Sequence, residues 1–194
     1  MDWNNHWQYE GKHAILSPSG YHWHTYDVEK MERVMWNSYA KEDGTRLHNL
    51  ASEMILYNIM PSDNENALNQ FVIDALTMFD EPMKSEQILI YSDNAFGTAD
   101  AIYYDEKKHH LQVHDLKTGV SKPSFKQLYT YCALFCLEYG FKPEKMTFEC
   151  RLYQLGAMAF DIPEGAQIRE IMNKIVELDK TIVTVKEARA KQGF

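Results

Sequence analysis

Residues 97–118, GTADAIYYDEKKHHLQVHDLKT, constrain the fold more than any other stretch of the chain. TADAIYY and LQVHDLK read as strands and flank the polar DEKKHH, the pattern of two antiparallel strands joined by a turn. EQILIY, from Glu86, reads as a strand ahead of them. Asp100 falls near the start of one hairpin strand, and Asp115 and Lys117 at the end of its neighbour. Side chains two apart on a strand share a face, so Leu111, Val113, Asp115 and Lys117 point one way. Two apolar residues followed by two charged ones describe a strand leaving the core.

Helical patterns surround this sheet. Residues 27–39 and about 45–60 read as two helices separated at Gly44, with Leu47, Leu50, Ala51 and Met54 at the helical period. A third, 64–79, is entered through Pro61–Ser62–Asp63, where Ser62 or Asp63 can cap it. Residues 124–139 form another, with Phe125, Leu128, Tyr129, Cys132 and Cys136 on one face and Gly140 at its end. MTFECRLYQ (146–154) alternates as a strand. Residues 166–191 form a long C-terminal helix whose Ile168–Val185 stripe is expected to pack on the core. Residues 1–26 carry Trp3, Trp7, Tyr21, Trp23 and Tyr26 and are expected to pack onto the body as an irregular segment, with a turn at SPSG (17–20). The fold class is α/β, a central mixed sheet flanked by helices.

A chain of 194 residues is read as one domain, 1–194. Its 45% hydrophobic and 25% charged composition excludes disordered and collagenous classes. With 20 Lys and Arg against 28 Asp and Glu, the net charge of −8 leaves no global positive field for nucleic acid, though a local basic groove is allowed. Three cysteines with no secretory leader before them read as free thiols in a reducing compartment. No apolar run approaches the roughly 20 residues of a membrane span. The expectation is a soluble, cytoplasmic protein.

The hairpin can bring Asp100 alongside Asp115, and two crowded carboxylates repel unless a divalent cation neutralises them. Mg²⁺ suits such oxygen ligands, with the Leu116 carbonyl as a further donor. Lys117 beside the metal would orient or deprotonate a water while the cation stabilises charge on a phosphate. Alone, D-x-K is a common surface strand end. The following helix adds Gln127 and Tyr131, four residues apart and opposite its apolar face, able to reach a substrate or the metal's surroundings. The alternative leaves Gln127 solvated and Tyr131 packed.

GTAD with Asp100, DLKTG from Asp115, Q-x-x-x-Y at Gln127 and Tyr131, and the upstream GTRLH with His48 together resemble the PD-(D/E)XK nuclease superfamily, in its RecB-like exonuclease branch. The likeness covers roughly residues 44–154, and these four motifs occur in the family's order. It implies a restriction-endonuclease-like core and a Mg²⁺- or Mn²⁺-dependent DNA nuclease, exonuclease favoured over endonuclease. It further implies Asp100 and Asp115 as metal ligands, Lys117 as the catalytic lysine, His48 as a further ligand, and Gln127 and Tyr131 positioning water or DNA. Glu86 matches an accessory acid found before the G-T-x-D strand. SPSG and RLYQ are similar to phage-encoded members, which implies DNA processing or recombination in a host cytoplasm, with a recombination or replication partner. Some relatives carry a four-cysteine iron–sulfur cluster; three cysteines, two of them on an apolar face, give no expectation of one.

Outside the motif, His48 in its helix is otherwise a packed or surface residue. His22 and His24 need no metal, and His109 and His110 belong to the hairpin turn. Lys122, Lys126 and Arg151 are candidate DNA contacts, or scattered surface charge. The C-terminal helix is also a candidate homo-oligomer surface. Two readings compete with the enzyme. One is a silent nuclease-fold module that grips DNA or a host protein. The other is a subunit active only within a complex. Retention of Asp100, Asp115, Lys117 and Gln127 together speaks against the silent module, which would be free to lose carboxylates that repel phosphate.

Overall fold

A computed structural model describes residues 6–9, 12, 14–120 and 122–192; Trp3 lies outside them. The chain divides into two compact units, residues 1–43 and 44–194.

In the first unit, Ser17 caps a 3-10 segment, Pro18–Thr25, by accepting from the Gly20 N–H at 3.3 Å. Pro18 opens it where no N–H is needed. The turn expected at 17–20 is therefore the start of a short helix. The Trp23 indole donates to the Ser17 carbonyl at 2.9 Å, while Trp7 and Tyr21 are exposed and no residue of the segment is buried.

Helix α1 (Val28–Leu56) runs unbroken through Gly44, where the sequence predicts a separation. Glycine in a helix interior costs about 1 kcal/mol against alanine, which is what the expectation of a break rested on. Gly44 is buried, and a Cβ there would come within 2.7 Å of Thr118 Oγ1, so its missing side chain serves close packing. The helix closes at Leu56 rather than Met60. Asn58 takes the left-handed conformation (φ 54°), and the Ile59 and Asn58 N–H groups return to the Met54 and Ile55 carbonyls, a Schellman end. Helix α2 (Ala67–Thr77) starts later than expected, because Asn66 and not Ser62 or Asp63 is the cap, accepting from the Asn69 N–H at 2.9 Å. Asp63 is spent on the Glu65 N–H and the Asn69 amide.

The sheet contains β1 (Lys84–Ser92), β2 (Ala95–Asp105), β3 (His110–Lys117), β4 (Thr147–Gln154) and β5 (Ala157–Asp161), in that spatial order. All neighbours are antiparallel except β3 and β4, which are parallel and joined through α3 (Lys126–Tyr139). Parallel neighbours require such a crossover. Gly140 ends α3 at φ 72°, as the sequence predicts. β5 has no counterpart in the sequence expectation. It returns from β4 through Leu155 (φ 50°) and Gly156 (φ 75°), a two-residue turn with both residues left-handed.

Helices cover both faces of the mixed sheet. On one, Leu89, Ile102 and Val113 meet Leu128, Cys132 and Phe135 of α3 and Ile168 and Met172 of α4 (Gly165–Lys191). On the other, Ala101, Leu116 and Tyr153 meet Phe71, Val72 and Ala75 of α2 and Ala51 and Ile55 of α1. The C-terminal stripe packs only through its first turns. Leu178, Ile182 and Val185 are exposed, a correction to the expectation that the stripe is covered to Val185. Among the described residues, no helix is long and apolar enough to cross a membrane.

Candidate functional site

The β2–β3 ladder ends at Ala101↔His114, and the predicted residues gather where the strands part. Leu116 no longer has a β2 partner, and its N–H is taken by the Asp100 carboxylate at 2.9 Å. The same Oδ2 lies 3.3 Å from His48 Nδ1 on α1. Next along β3, Asp115 is buried and faces Lys117, whose ammonium donates to Oδ1 at 3.1 Å and lies 2.8 Å from Oδ2. That Oδ2 receives no hydrogen bond, alone in this among buried side-chain nitrogen and oxygen atoms of the described residues. Lys117 also donates to Gln127 Oε1 at 2.7 Å, and the Gln127 amide donates to Tyr131 Oη at 3.2 Å.

Local backbone explains how Asp100 comes to this point. Ala95 and Ala99 pack on the α3 side of the sheet, and so do Ile102 and Tyr104, while Ala101 and Tyr103 pack on the α2 side. The in–out alternation of β2 therefore changes phase around Asp100. On β1 the register runs unshifted from Ser85↔Ala101 to Gln87↔Ala99, which sets Glu86, itself at φ 50°, opposite Asp100. Irregularities of this kind re-aim a side chain, and here the residue re-aimed is Asp100. Gly97, the glycine of GTAD, makes room for α3. A Cβ there would sit 3.1 Å from Tyr131 Cε1.

Electrostatics mark the cluster. Burial, then the Asp100 charge, raises the Asp115 carboxyl to about 6, against the opposing pull of Lys117 and His48. Burial and the Asp100 charge also raise Glu86, and the hydrogen bond to Asp100 raises His48 against its own burial. Three acids, Glu86, Asp100 and Asp115, thus share one field with His48 and Lys117 as counter-groups.

Comparisons with protein-family models, with curated proteins and with solved structures return no match.

The donor set fits a hard divalent cation. It offers the buried Asp115 carboxylate, a second carboxylate at Asp100, the acid Glu86 and the His48 imidazole, with the backbone carbonyl of Leu116 next to Asp115 in the chain. No three His, Cys, Asp or Glu side chains converge at metal-holding geometry among the described residues. Asp100 is instead committed to His48 and the Leu116 N–H, and Asp115 to Lys117.

The structure brings together His48, Glu86, Asp100, Asp115, Leu116, Lys117, Gln127 and Tyr131. Lys122 and Lys126 are exposed on the segment that leads from β3 into α3 and at the start of that helix. Arg151 is engaged within the protein. In register with His114, it faces the α2 side of the sheet, and its guanidinium is held by Glu149 at 2.6 Å and Asp74 at 3.2 Å. Strand alternation puts it on the face opposite Asp115.

Sequence reasoning missed a buried polar chain on that same face. His114 Nε2 contacts Gln112 Oε1 at 3.1 Å, His114 Nδ1 contacts Tyr153 Oη at 3.2 Å, and Tyr153 donates to Asp74 at 2.7 Å. Gln112 and His114 alternate with Leu111 and Val113, a pattern that reads as a solvent face; only the tertiary cover of α2 reveals otherwise.

Proposed function

We propose that the chain is a divalent-metal-dependent nuclease of the PD-(D/E)XK kind, acting on DNA and favouring ends over internal sites. The observation that carries this is the Asp115 carboxylate, buried and ion-paired through both oxygens to a lysine that reaches a second polar group from another element. Such a pair is costly to bury without a task, because a buried charge must be compensated.

Asp100 and Asp115 would hold the cation, with His48, Glu86 and the Leu116 carbonyl as the remaining donors. When bound, Mg²⁺ or Mn²⁺ supplies charge stabilisation at a phosphate and lowers the pKa of water. The chain's own part follows from its hydrogen bonds. Tyr131 accepts from the Gln127 amide nitrogen, which turns Gln127 Oε1 toward Lys117 and fixes the ammonium in one place. An ammonium so held orients the attacking water or neutralises charge that develops on the phosphoryl oxygens. Lys122 and Lys126, both exposed, would meet neighbouring phosphates.

The test is degradation of end-labelled linear and closed circular DNA with Mg²⁺, Mn²⁺ or EDTA, using wild type, Asp115→Asn and Lys117→Ala, each shown to be folded by circular dichroism. Metal-dependent loss of linear DNA alone, abolished in both variants, is the expected result. Cutting of the circle would make it an endonuclease. No cleavage under any metal would overturn the enzyme reading and favour a DNA- or protein-binding module.

A further inference from the structure

The two edges of the sheet are finished differently. β1 is guarded: Glu138 of α3 accepts from the Ile90 N–H at 2.9 Å, the Gln87 side-chain amide donates to the Ile88 carbonyl at 2.7 Å, and the ladder with β2 shifts between Ile90 and Ser92. Covered backbone groups and an irregular ladder keep other strands off an edge. β5 is open. Its two-residue turn makes Gln154↔Ala157 a hydrogen-bonded pair, and alternation from there spends the backbone groups of Ala157, Ala159 and Asp161 on β4 and turns those of Met158 and Phe160 outward. Among the described residues nothing bonds to these outward groups. The strand's one charge, Asp161, is drawn inward to accept from the Tyr129 hydroxyl. The other four residues, Ala157 to Phe160, are exposed and apolar.

The strand also complements itself. Laid antiparallel about a two-fold axis at Ala159, it sets Met158 opposite Phe160 of a second copy and Phe160 opposite that copy's Met158. Both outward residues then fall in hydrogen-bonded pairs, so every outward N–H and C=O of the two strands finds a partner. A thioether meets an aromatic ring in each pair, and Asp161 lies opposite Ala157 rather than a second acid. Moving the axis to Met158 or Phe160 sets an outward residue against Gly156 or Ile162, both outside the strand. Leu155, Met158, Phe160 and Ile162 expose on the order of 500 Å² of side chain per copy. Two copies together thus cover about the 1,000 Å² that a specific interface must clear, at the weak end of the range. We infer that β5 is a homodimer edge: a second copy of this chain adds its own β5 antiparallel across the Ala159 axis and joins the two sheets into one.

The test is sedimentation velocity of the full chain over a concentration series, beside variants at exposed positions shown to be folded by circular dichroism. Wild type is expected to show a monomer–dimer equilibrium with a Kd in the range of about 1–100 μM. Met158→Lys combined with Phe160→Lys sets like charges opposite each other on both sides of the axis and should raise Kd about a hundredfold. Met158→Lys combined with Phe160→Glu sets opposite charges there and should associate about tenfold more tightly than the double-lysine variant, a recovery that only this register provides. Ala159→Cys places two thiols in a non-hydrogen-bonded pair with Cα atoms about 4.5 Å apart, within disulfide reach. It should cross-link under oxidised glutathione, while Cys132, Cys136 and Cys150 are buried. A wild type that stays monomeric throughout would overturn the proposal and leave the edge to a strand of another protein. A dimer that survives the double-lysine substitution, or an Ale159→Cys variant that does not cross-link, would overturn it in favour of another surface, the exposed end of the α4 stripe first. No outcome depends on cleavage of DNA, so the proposal stands or falls apart from the nuclease reading.

Discussion

His114 and Asp115 are adjacent on β3, face opposite sides of the sheet, and respond to acid in opposite directions. Burial, with Arg151 nearby, lowers the His114 imidazole to about 3 from an ordinary 6.5, so the unfolded chain binds the proton that the folded one refuses. Stability is then lost as pH falls from 6.5 toward 3, by about 1.4 kcal/mol per unit. Asp115, raised to about 6 from 3.8, binds its proton first in the folded state, so stability is gained as pH falls from 6 to 3.8. Between pH 6 and 4 these two slopes cancel. Denaturant unfolding in EDTA should show little contribution from the pair in wild type. Asp115→Asn should expose the histidine slope, losing about 1.4 kcal/mol per unit of acidification, and His114→Gln should expose the opposite slope. Parallel curves for all three proteins would contradict both assignments. In cleavage assays Lys117→Ala is expected to lower kcat by about 10²–10³, the loss usual when one preorganised charge-stabilising donor is removed. Gln127→Ala should cost less, because it only frees the ammonium to wander. At this scale Asp115 and Lys117 at the end of β3 and Gln127 on the outer face of α3 were legible from spacing, whereas Asp100, expected near the start of its strand, lies mid-way along β2 and owes its aim to the irregularity there. Glu86 opposite Asp100, and the burial of His114, were not legible, because both depend on what a neighbouring element does.

Elements show the same division between local and tertiary information. β1 to β4, α3 and α4 follow from alternation, helical period and the Gly140 stop, all of which are local. Gly44 misled because helix propensity is a weak prior, and contact with Thr118 overrides it. β5 escaped because AMAFD has no β-branched residue and its turn opens with a leucine at φ 50°, neither of them a strand or turn signal. Gly165, at the first position of α4, turns this reasoning into a measurement. A Cβ there would lie 2.4 Å from the Pro143 carbonyl oxygen, a backbone atom that cannot rotate away. The junction is also held by Arg169, whose Nε and Nη2 each donate to Glu144 at 2.8 Å. Gly165→Ala, which would stabilise an isolated helix, should therefore destabilise this protein by about 1–3 kcal/mol in chemical denaturation. A neutral or stabilising result would mean that the 143–145 turn yields easily and does not fix the start of α4.

At the scale of the whole molecule, charge decides how the DNA of the proposed function would be held. The chain carries a net −8, so the long-range field repels a polyanion and attraction is confined to a few cations around the cluster. Lys117, Lys122 and Lys126 are those the site offers once Arg151 is bound to Asp74 and Glu149. Each phosphate contact contributes about 0.9 to the slope of log affinity against log salt, so three contacts give a slope near −3 for duplex DNA. Fluorescence-polarisation titrations over a salt series, with EDTA present to prevent cutting, should return about that value. Lys122→Ala and Lys126→Ala should each make it shallower by about one unit, equally on every sequence, because a phosphate contact carries no base information. A slope much steeper than this would bring cations beyond Lys117, Lys122 and Lys126 into the contact. A slope near zero would remove nucleic acid from the substrate class whatever the carboxylates can bind.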